Sequence, residues 1–492
     1  MLSNSDVREI QEKIEGHAVE MGFDFFPVVY EMCSHETISE VAAYGGFPSR
    51  YPHWSFGMEY ERLAKGYGYG LQKIYEMVIN TNPVYAYLLD VNQMVDQQLV
   101  IAHVCGHAHF FKHNYMFGPT NRKMLDEMAN HAVRIRRYMH KYGVERVENF
   151  IDCCLTIDDL IDLHAPFIKR QEDKNASIED EVGEFAKESN SLQSQNAYMR
   201  DFLNPPDFMK AQQQKRVDEA MQARQFPNEP QKDILQFLLE YAPLEAWQRD
   251  VLDIVREEAY YFAPQGQTKI MNEGCACWAH TRLMTKHILT PEQIVDYADH
   301  HSGTVANHPG RINPYRLGLA LLEDIEKRWD KGQFGKEWEE ADFRTRKNWN
   351  TGAGLGKEKV FEVWKHYNDI TFIDEFLTPE FVAEHMLFSY SWDDEREAYE
   401  IATRDFKAVK EKLLWGLTNH GRPFIYVKDG NYLNRGELLL WHRFEGMELD
   451  LNQAKDVLKN VQLIWGRPVH IETMQDDKTV VMSFDGELKT KE

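Results

Sequence analysis

Apolar positions recur at helical spacing through most of the chain, and the places where that spacing stops divide it. Residues 1–45 carry apolar side chains three and four apart among polar ones and predict helix. "GGFPSRYPHWSFG" (45–57) ends this stretch with glycines, two prolines and a concentration of aromatics. The helical spacing returns near Tyr60 and continues, with breaks, to about Ile168. Within it, "RKMLDEMANHAVRIRRYMHKYG" (122–143) predicts a basic amphipathic helix with Arg134, Arg136, Arg137 and Lys141 on a solvated face.

From about Gln171 to Pro230 the apolar pattern is lost. An acidic start and polar pieces such as "SLQSQN" and "KAQQQKR" predict a linker or surface insertion. Helical pattern resumes at "DILQFLLEYAPLEAWQRDVLDIVREEAYYFAPQ" and runs through the 280s. "HHSGTVANHPGRINPYRLG" (300–318) then predicts a loop leading into a helix, where Arg311 and Asn313 suit a turn and a helix start better than substrate binding. "TGAGLGKE" (351–358) is glycine-rich, but it lacks the spacing of a phosphate loop and no β run precedes it, so it reads as a plain loop. After about residue 415, "PFIYVKDG", "GELLLWHRF", "DLNQAKDVLKNVQLIWG", "PVHIET" and "KTVVMSF" predict strands around one helix. The predicted fold class is therefore mainly α. A large helical body in two parts (1–170 and 231–414), joined through a linker (171–230), carries a small C-terminal α+β domain (415–492).

Composition narrows the function classes. Of 492 residues 43% are hydrophobic, which is globular, and the length exceeds what one core usually serves. The 79 acidic and 56 basic residues leave a net charge of −23, which sets the surface as a whole against nucleic acid and anionic lipid. The helix at 122–141 is the local exception. The N-terminus lacks an apolar signal-peptide core, and no run approaches eighteen uncharged apolar residues, so no membrane span and a cytosolic location are expected. The six cysteines then read as free thiols. Cys275 and Cys277 form a C-x-C pair without a second pair, a poor zinc ribbon, and suit buried small hydrophobes.

Candidate chemistry concentrates in "IAHVCGHAHFFKHNYMF" (101–117). At 3.6 residues per turn His103 and His107 share a helix face, and Asn114 returns to it if the helix persists. His109 points roughly to the opposite side and His113 lies between. H-x-x-x-H lets two imidazoles converge on one ion, each about 2.0–2.1 Å away. A buried imidazole pair without an ion must be neutral and hydrogen-bonded at both rings. In "KIMNEGCACWAHTRLM" (269–284), Glu273 and His280 share a face with Ala276 and Cys277 between them. The small residues there would let a second helix approach, and a carboxylate on an apolar helix needs a cation or a donor. Two readings stay open: one divalent metal ion, zinc first with iron or manganese compatible, held by His103, His107, Glu273, His280 and Asn114, or a buried polar network.

"GGFPSRYPHWSFG", "HVCGHAHFFKHN", "QTKIMNEGCACWAH", "NPYRLG" and "NDITFIDEFLT", in this order, make the chain resemble the SpoVR family, the stage V sporulation protein R-like proteins. The likeness runs from about residue 20 to 475. It implies a bacterial cytosolic protein linked to spore cortex formation or stress physiology, acting with a PrkA-type serine kinase and a protein with a von Willebrand-like domain. It hands over no defined activity. The sequence departs from the family pattern where His109 replaces an acidic residue, His113 an asparagine and Cys275 a tryptophan, which weakens His109 and His113 as ligands.

"HVCGH" followed by "NEGCA" also looks like a zincin-type metallopeptidase, in which H-E-x-x-H supplies two ligands and a later glutamate the third. There the glutamate between the histidines is the general base. Here that position is Val104, which takes no proton. Catalysis would need another base, and the sequence offers His280, Glu59 or His53; Glu273, His280 and His53 are the catalytic candidates. A metal-dependent amide hydrolase with a zincin-like body and a non-enzymatic regulator or scaffold with a structural metal are thus the two expectations.

Overall fold

The computed structural model describes residues 4–68, 76–168, 210, 226–307, 311–394 and 396–491. Apart from residues 210 and 226–230, the expected linker lies outside them. The described chain is mainly helical and falls into two compact units: one of residues 1–147 and 260–422, the other of 148–259 and 423–492. The C-terminal segment is thereby grouped with helical chain from the middle of the sequence.

In the first unit the order is α1 (Asn4–Glu20), β1 (Val28–Cys33), α2 (His35–Ala43), α3 (Trp54–Gly68), β2 (Glu76–Ile79), β3 (Val84–Leu89), α4 (Met94–His113) and α5 (Met124–Tyr142). The helix expected across residues 1–45 is thus two helices with a strand between them. β2 and β3 likewise break the helical run expected after Tyr60. The three strands form one sheet in the order β1-β3-β2, with β1 parallel and β2 antiparallel to β3. Short apolar runs such as "VYAYLL" carry no period that separates strand from buried helix, so pairing decides them. α5 meets expectation: Met128, His131, Ala132 and Ile135 are buried on one face while Arg136 and Arg137 are exposed.

The chain passes through α6 (Val144–Leu155), α7 (Ile234–Tyr241) and α8 (Ala246–Gln267) into α9 (Lys269–Leu283), α10 (Ile294–Thr304), α11 (Pro314–Asp330), α12 (Gly356–His366), α13 (Asp369–Phe376), the antiparallel pair β4 (Ser389–Asp393) and β5 (Ala398–Thr403), and α14 (Phe406–Leu417). α4 and α9 bury nearly every side chain, which suits helices apolar all round rather than amphipathic ones. α9 packs against α4 on one side and α11 on another. Both contacts run through glycine. A Cβ on Gly106 would lie 2.6 Å from the Ala276 Cα, and one on Gly274 2.6 Å from the Gly318 carbonyl carbon. "TGAGLGKE" is a loop running into α12, whose Gly356 N–H donates to Asp330 Oδ1 at 2.8 Å.

The second unit holds α7 and a five-stranded sheet of β6 (Phe424–Tyr432), β7 (Glu437–Arg443), β8 (Val469–Gln475), β9 (Lys478–Phe484) and β10 (Leu488–Lys491). Its order is β10-β9-β8-β7-β6, and α15 (Leu451–Trp465) carries the chain between the parallel β7 and β8. Gly466 ends α15 with φ of 73°, a left-handed cap that glycine takes without strain. Phe237 of α7 stacks on Trp465, ring centroids 5.7 Å apart. Among the described residues no helix is long and apolar enough to cross a membrane.

Candidate metal centre

The site is built from α4 and α9, which the Gly106–Ala276 contact brings together. One turn of α4 separates His103 from His107, and both face Glu273 of α9. Each Nε2 lies 3.6 Å from Glu273 Oε2, with all three side chains buried. The other carboxylate oxygen, Oε1, accepts from Lys269 Nζ at 2.7 Å. Lys269 thus leaves Oε2 as the atom shared with the two imidazoles. The register of α9 is fixed at its start, where Asp369 accepts the Ile270 and Met271 N–H groups at 2.8 and 2.9 Å.

The other imidazole nitrogens have their own partners. His107 Nδ1 is 2.9 Å from Asn272 Oδ1, so Nδ1 carries the proton and Nε2 keeps a lone pair towards Glu273. His103 Nδ1 is 3.0 Å from His280 Nδ1, and His280 Nε2 is 3.0 Å from His301 Nδ1. The ring of His103 therefore serves two groups with opposite nitrogens. His103, His107 and Glu273 form one set of ligand atoms within 4.8 Å of each other, and His103, Cys277 and His280 form another. His280 faces the other nitrogen of His103 from Glu273, so the expected single set divides at His103.

Electrostatics follow from burial and pairing. Burial opposes a proton on His103, yet the Cys277 thiol and Glu273 carboxylate beside it push its pKa up to about 10. Burial and the neighbouring His103 hold His107 down at about 4. Burial would raise Glu273, but His103, His107 and Lys269 together keep it well below the usual carboxylate range. Burial lowers His280, with His103 and His301 adding to it. Without an ion the pair His103–Glu273 thus holds a proton and a negative charge where a divalent ion would put positive charge.

Asn114 is not on this face. α4 ends at His113, and Asn114 Nδ2 donates to the Trp364 and Tyr367 carbonyls at 2.7 and 2.8 Å while Oδ1 accepts from the Met116 N–H at 3.0 Å. Its side chain closes the helix and is fully occupied. His109 and His113 turn to Asp24, His113 Nε2 lying 3.0 Å from the carboxylate. His53 sits among Trp54 and Phe56 with Nδ1 2.7 Å from Ser55 Oγ, and it belongs to neither ligand set. Glu59 pairs with Arg62 on α3. Val104 is fully buried. Asn313 caps α11, accepting from the Tyr315 and Arg316 N–H groups, as the loop reading expects.

The structure adds groups that sequence reading missed. Cys277, expected only as a buried small hydrophobe, lies one turn beyond Glu273 and enters the second ligand set. Tyr315, inside "NPYRLG", stacks on His103 at 6.2 Å, and burial with the carboxylates of Glu273 and Glu76 keeps its phenol protonated. Glu76, on the antiparallel edge strand β2, is close enough for its charge to act on His103, and burial raises its pKa. No sequence signal marks a lone glutamate in "YEMVIN".

A family model described as SpoVR like protein matches residues 2–422, and one described as SpoVR-like C-terminal domain matches 423–476. The chain belongs to the SpoVR family. The boundary between the two SpoVR models, 422/423, coincides with the point where the C-terminal segment joins the second unit. This SpoVR protein is also 30% identical over 497 residues to the uncharacterized protein YcgB of Escherichia coli strain K12, covering 93% of the chain and 89% of that relative. No solved structure matches it.

Proposed function

We propose that the chain binds one divalent metal ion through His103 Nε2, His107 Nε2 and Glu273 Oε2 and uses it in metal-assisted hydrolysis of an amide bond. The convergence of these three buried atoms from two helices carries the reading. The donor set fits: two imidazoles and a carboxylate suit zinc, with iron or manganese compatible, and three protein ligands leave a position open. Asn272 and His280 supply the orienting contacts that ligating imidazoles need on their other nitrogen. A bound ion would supply Lewis acidity to water and to a carbonyl oxygen. Glu76 takes the part that Val104 cannot, as the carboxylate that would accept a proton from the attacking water and pass it to the departing amine, and the Tyr315 phenol would donate a hydrogen bond to developing negative charge. The arrangement is zincin-like in its ligands and departs from zincins in drawing its base from a strand.

Metal content by inductively coupled plasma mass spectrometry, on untagged parent, His103→Ala and Glu273→Ala, tests the centre. About one equivalent in the parent and almost none in folded variants is expected. Metal-free parent that takes up no added ion would sink it. Hydrolysis is tested apart: Glu76→Gln should keep the metal and lose at least a hundredfold in turnover of a peptide or amide library.

The buried Val104 favours a second reading, in which the metal is structural and the protein is a regulator or scaffold for a PrkA-type kinase and a von Willebrand-like-domain protein. Metal retained, no amide cleaved, and stability lost on chelation would select it.

A further inference from the structure

Away from the histidines, the first unit holds a cavity of about 230 Å³ between the start of α11, residues 381–390 and α14. Its floor is apolar, with Leu317, Phe381, Leu387 and Leu413. Its polar side carries three cations, Arg311, Arg316 and Lys412, beside the imidazole of His385, which burial keeps neutral, and no carboxylate lines it among the described residues. In a chain of net charge −23, such a grouping runs against the average surface.

The cations lack internal partners of opposite charge. Neither Arg311 nor Arg316 forms an ion pair among the described residues, and Lys412 donates to the neutral Ser389 Oγ at 2.9 Å. The carboxylates acting on His385, Glu384 and Asp324, stand outside the lining, and Asp324 is paired with Arg328 at 2.8 Å. Arg316 also sits in the first turn of α11, where the helix's positive end disfavours a cation. Three like charges around one space cost stability unless an anion joins them. Asn313 and Tyr390 are committed to backbone, Asn313 to the Thr304 and Ala306 carbonyls and Tyr390 to that of Met386.

We infer that this cavity binds a small soluble amphiphile, a phosphate monoester carrying a short apolar group, with the head among Arg311, Arg316 and Lys412 and the apolar part on Leu317, Phe381 and Leu413. The volume sits below the usual range of drug-sized sites, which limits the apolar part to a few carbons. Guanidinium forks match phosphate oxygens in pairs, and the lysine adds a point charge. The inference is independent of the metal centre.

Calorimetric titration of the full chain with hexyl phosphate tests it. One site is expected, weakened at least tenfold by Arg316→Gln and further by adding Lys412→Gln, with metal content unchanged and the ligand-free unfolding midpoint equal to or above the parent's. Inorganic phosphate and hexanol should each bind the parent at least tenfold more weakly than hexyl phosphate, a comparison that needs no variant. Binding undiminished in the double variant, equal binding of inorganic phosphate, or no heat at millimolar ligand would overturn the site. Co-sedimentation with phosphatidic acid vesicles, lost in the double variant and without binding of hexyl phosphate, would overturn the soluble-ligand assignment in favour of a membrane surface.

Discussion

The proton on His103 is what a metal ion bound as proposed would have to displace. With Cys277 and Glu273 holding that imidazole's pKa near 10, nearly every ion-free molecule is protonated there at neutral pH. Binding at Nε2 therefore releases about one proton, and apparent affinity should rise about tenfold per pH unit between pH 6.5 and 8.5. Zinc titration against a chromophoric chelator at several pH values checks this; a flat profile would count against His103 as a ligand. The same shift has an opposite sign for the ion-free fold. A raised histidine pKa stabilises fully below about 6.5 and loses that contribution as pH rises through about 10. Denaturant unfolding of chelated protein should therefore show stability falling from pH 7 to 10, more steeply in the parent than in His103→Gln.

At the scale of elements, the site depends on how closely α4 and α9 approach. The Gly106 Cβ position overlaps the Ala276 backbone, so Gly106→Val must push the helices apart. A cost of about 1–3 kcal/mol is expected, the usual range for overpacking, with loss of metal before loss of fold. Thermal unfolding and metal content, measured together, would separate the two. Asp369 acts on the same helix from its end: Asp369→Ala leaves two buried N–H groups without their acceptor and should cost about 1–3 kcal/mol by denaturant unfolding.

The elements also show what a sequence can carry. H-x-x-x-H and the Glu273 face follow from helix geometry alone, so the pairing of α4 with α9 was legible in spacing and small residues. The end of α4 was not, because Asn114 closes the helix through the carbonyls of Trp364 and Tyr367, some 250 residues on. β1 and β2 are six and four residues long, too short for alternation to stand out. Glu76 is invisible for the same reason, since its relevance comes from strand pairing. In the C-terminal module each strand is bounded by turn residues, and β6 to β9 and α15 fall where the pattern predicts them.

For the whole molecule, the two units do not follow the order of the chain. Gln231 bridges Val427 through backbone hydrogen bonds, and Phe237 packs on Trp465, so the C-terminal sheet rests on residues from before α9. A fragment of residues 423–492 alone should bare Trp465 and its apolar neighbours. Circular dichroism and limited proteolysis should find it largely unfolded, and joining residues 226–259 to it by a linker should restore protection. A stable fragment would show that the family-model boundary marks an independent folding unit.

The separation between the two ligand helices also sets a timetable. His107 and Asn272 stand 165 residues apart in the chain, with α5 to α8 translated between them. At about 5–20 residues per second, the histidines emerge from the ribosome roughly ten to thirty seconds before the carboxylate that completes their set. Through that interval a nascent chain offers two imidazoles and no Glu273, so an ion bound as proposed would be held securely only once α9 is made and docked.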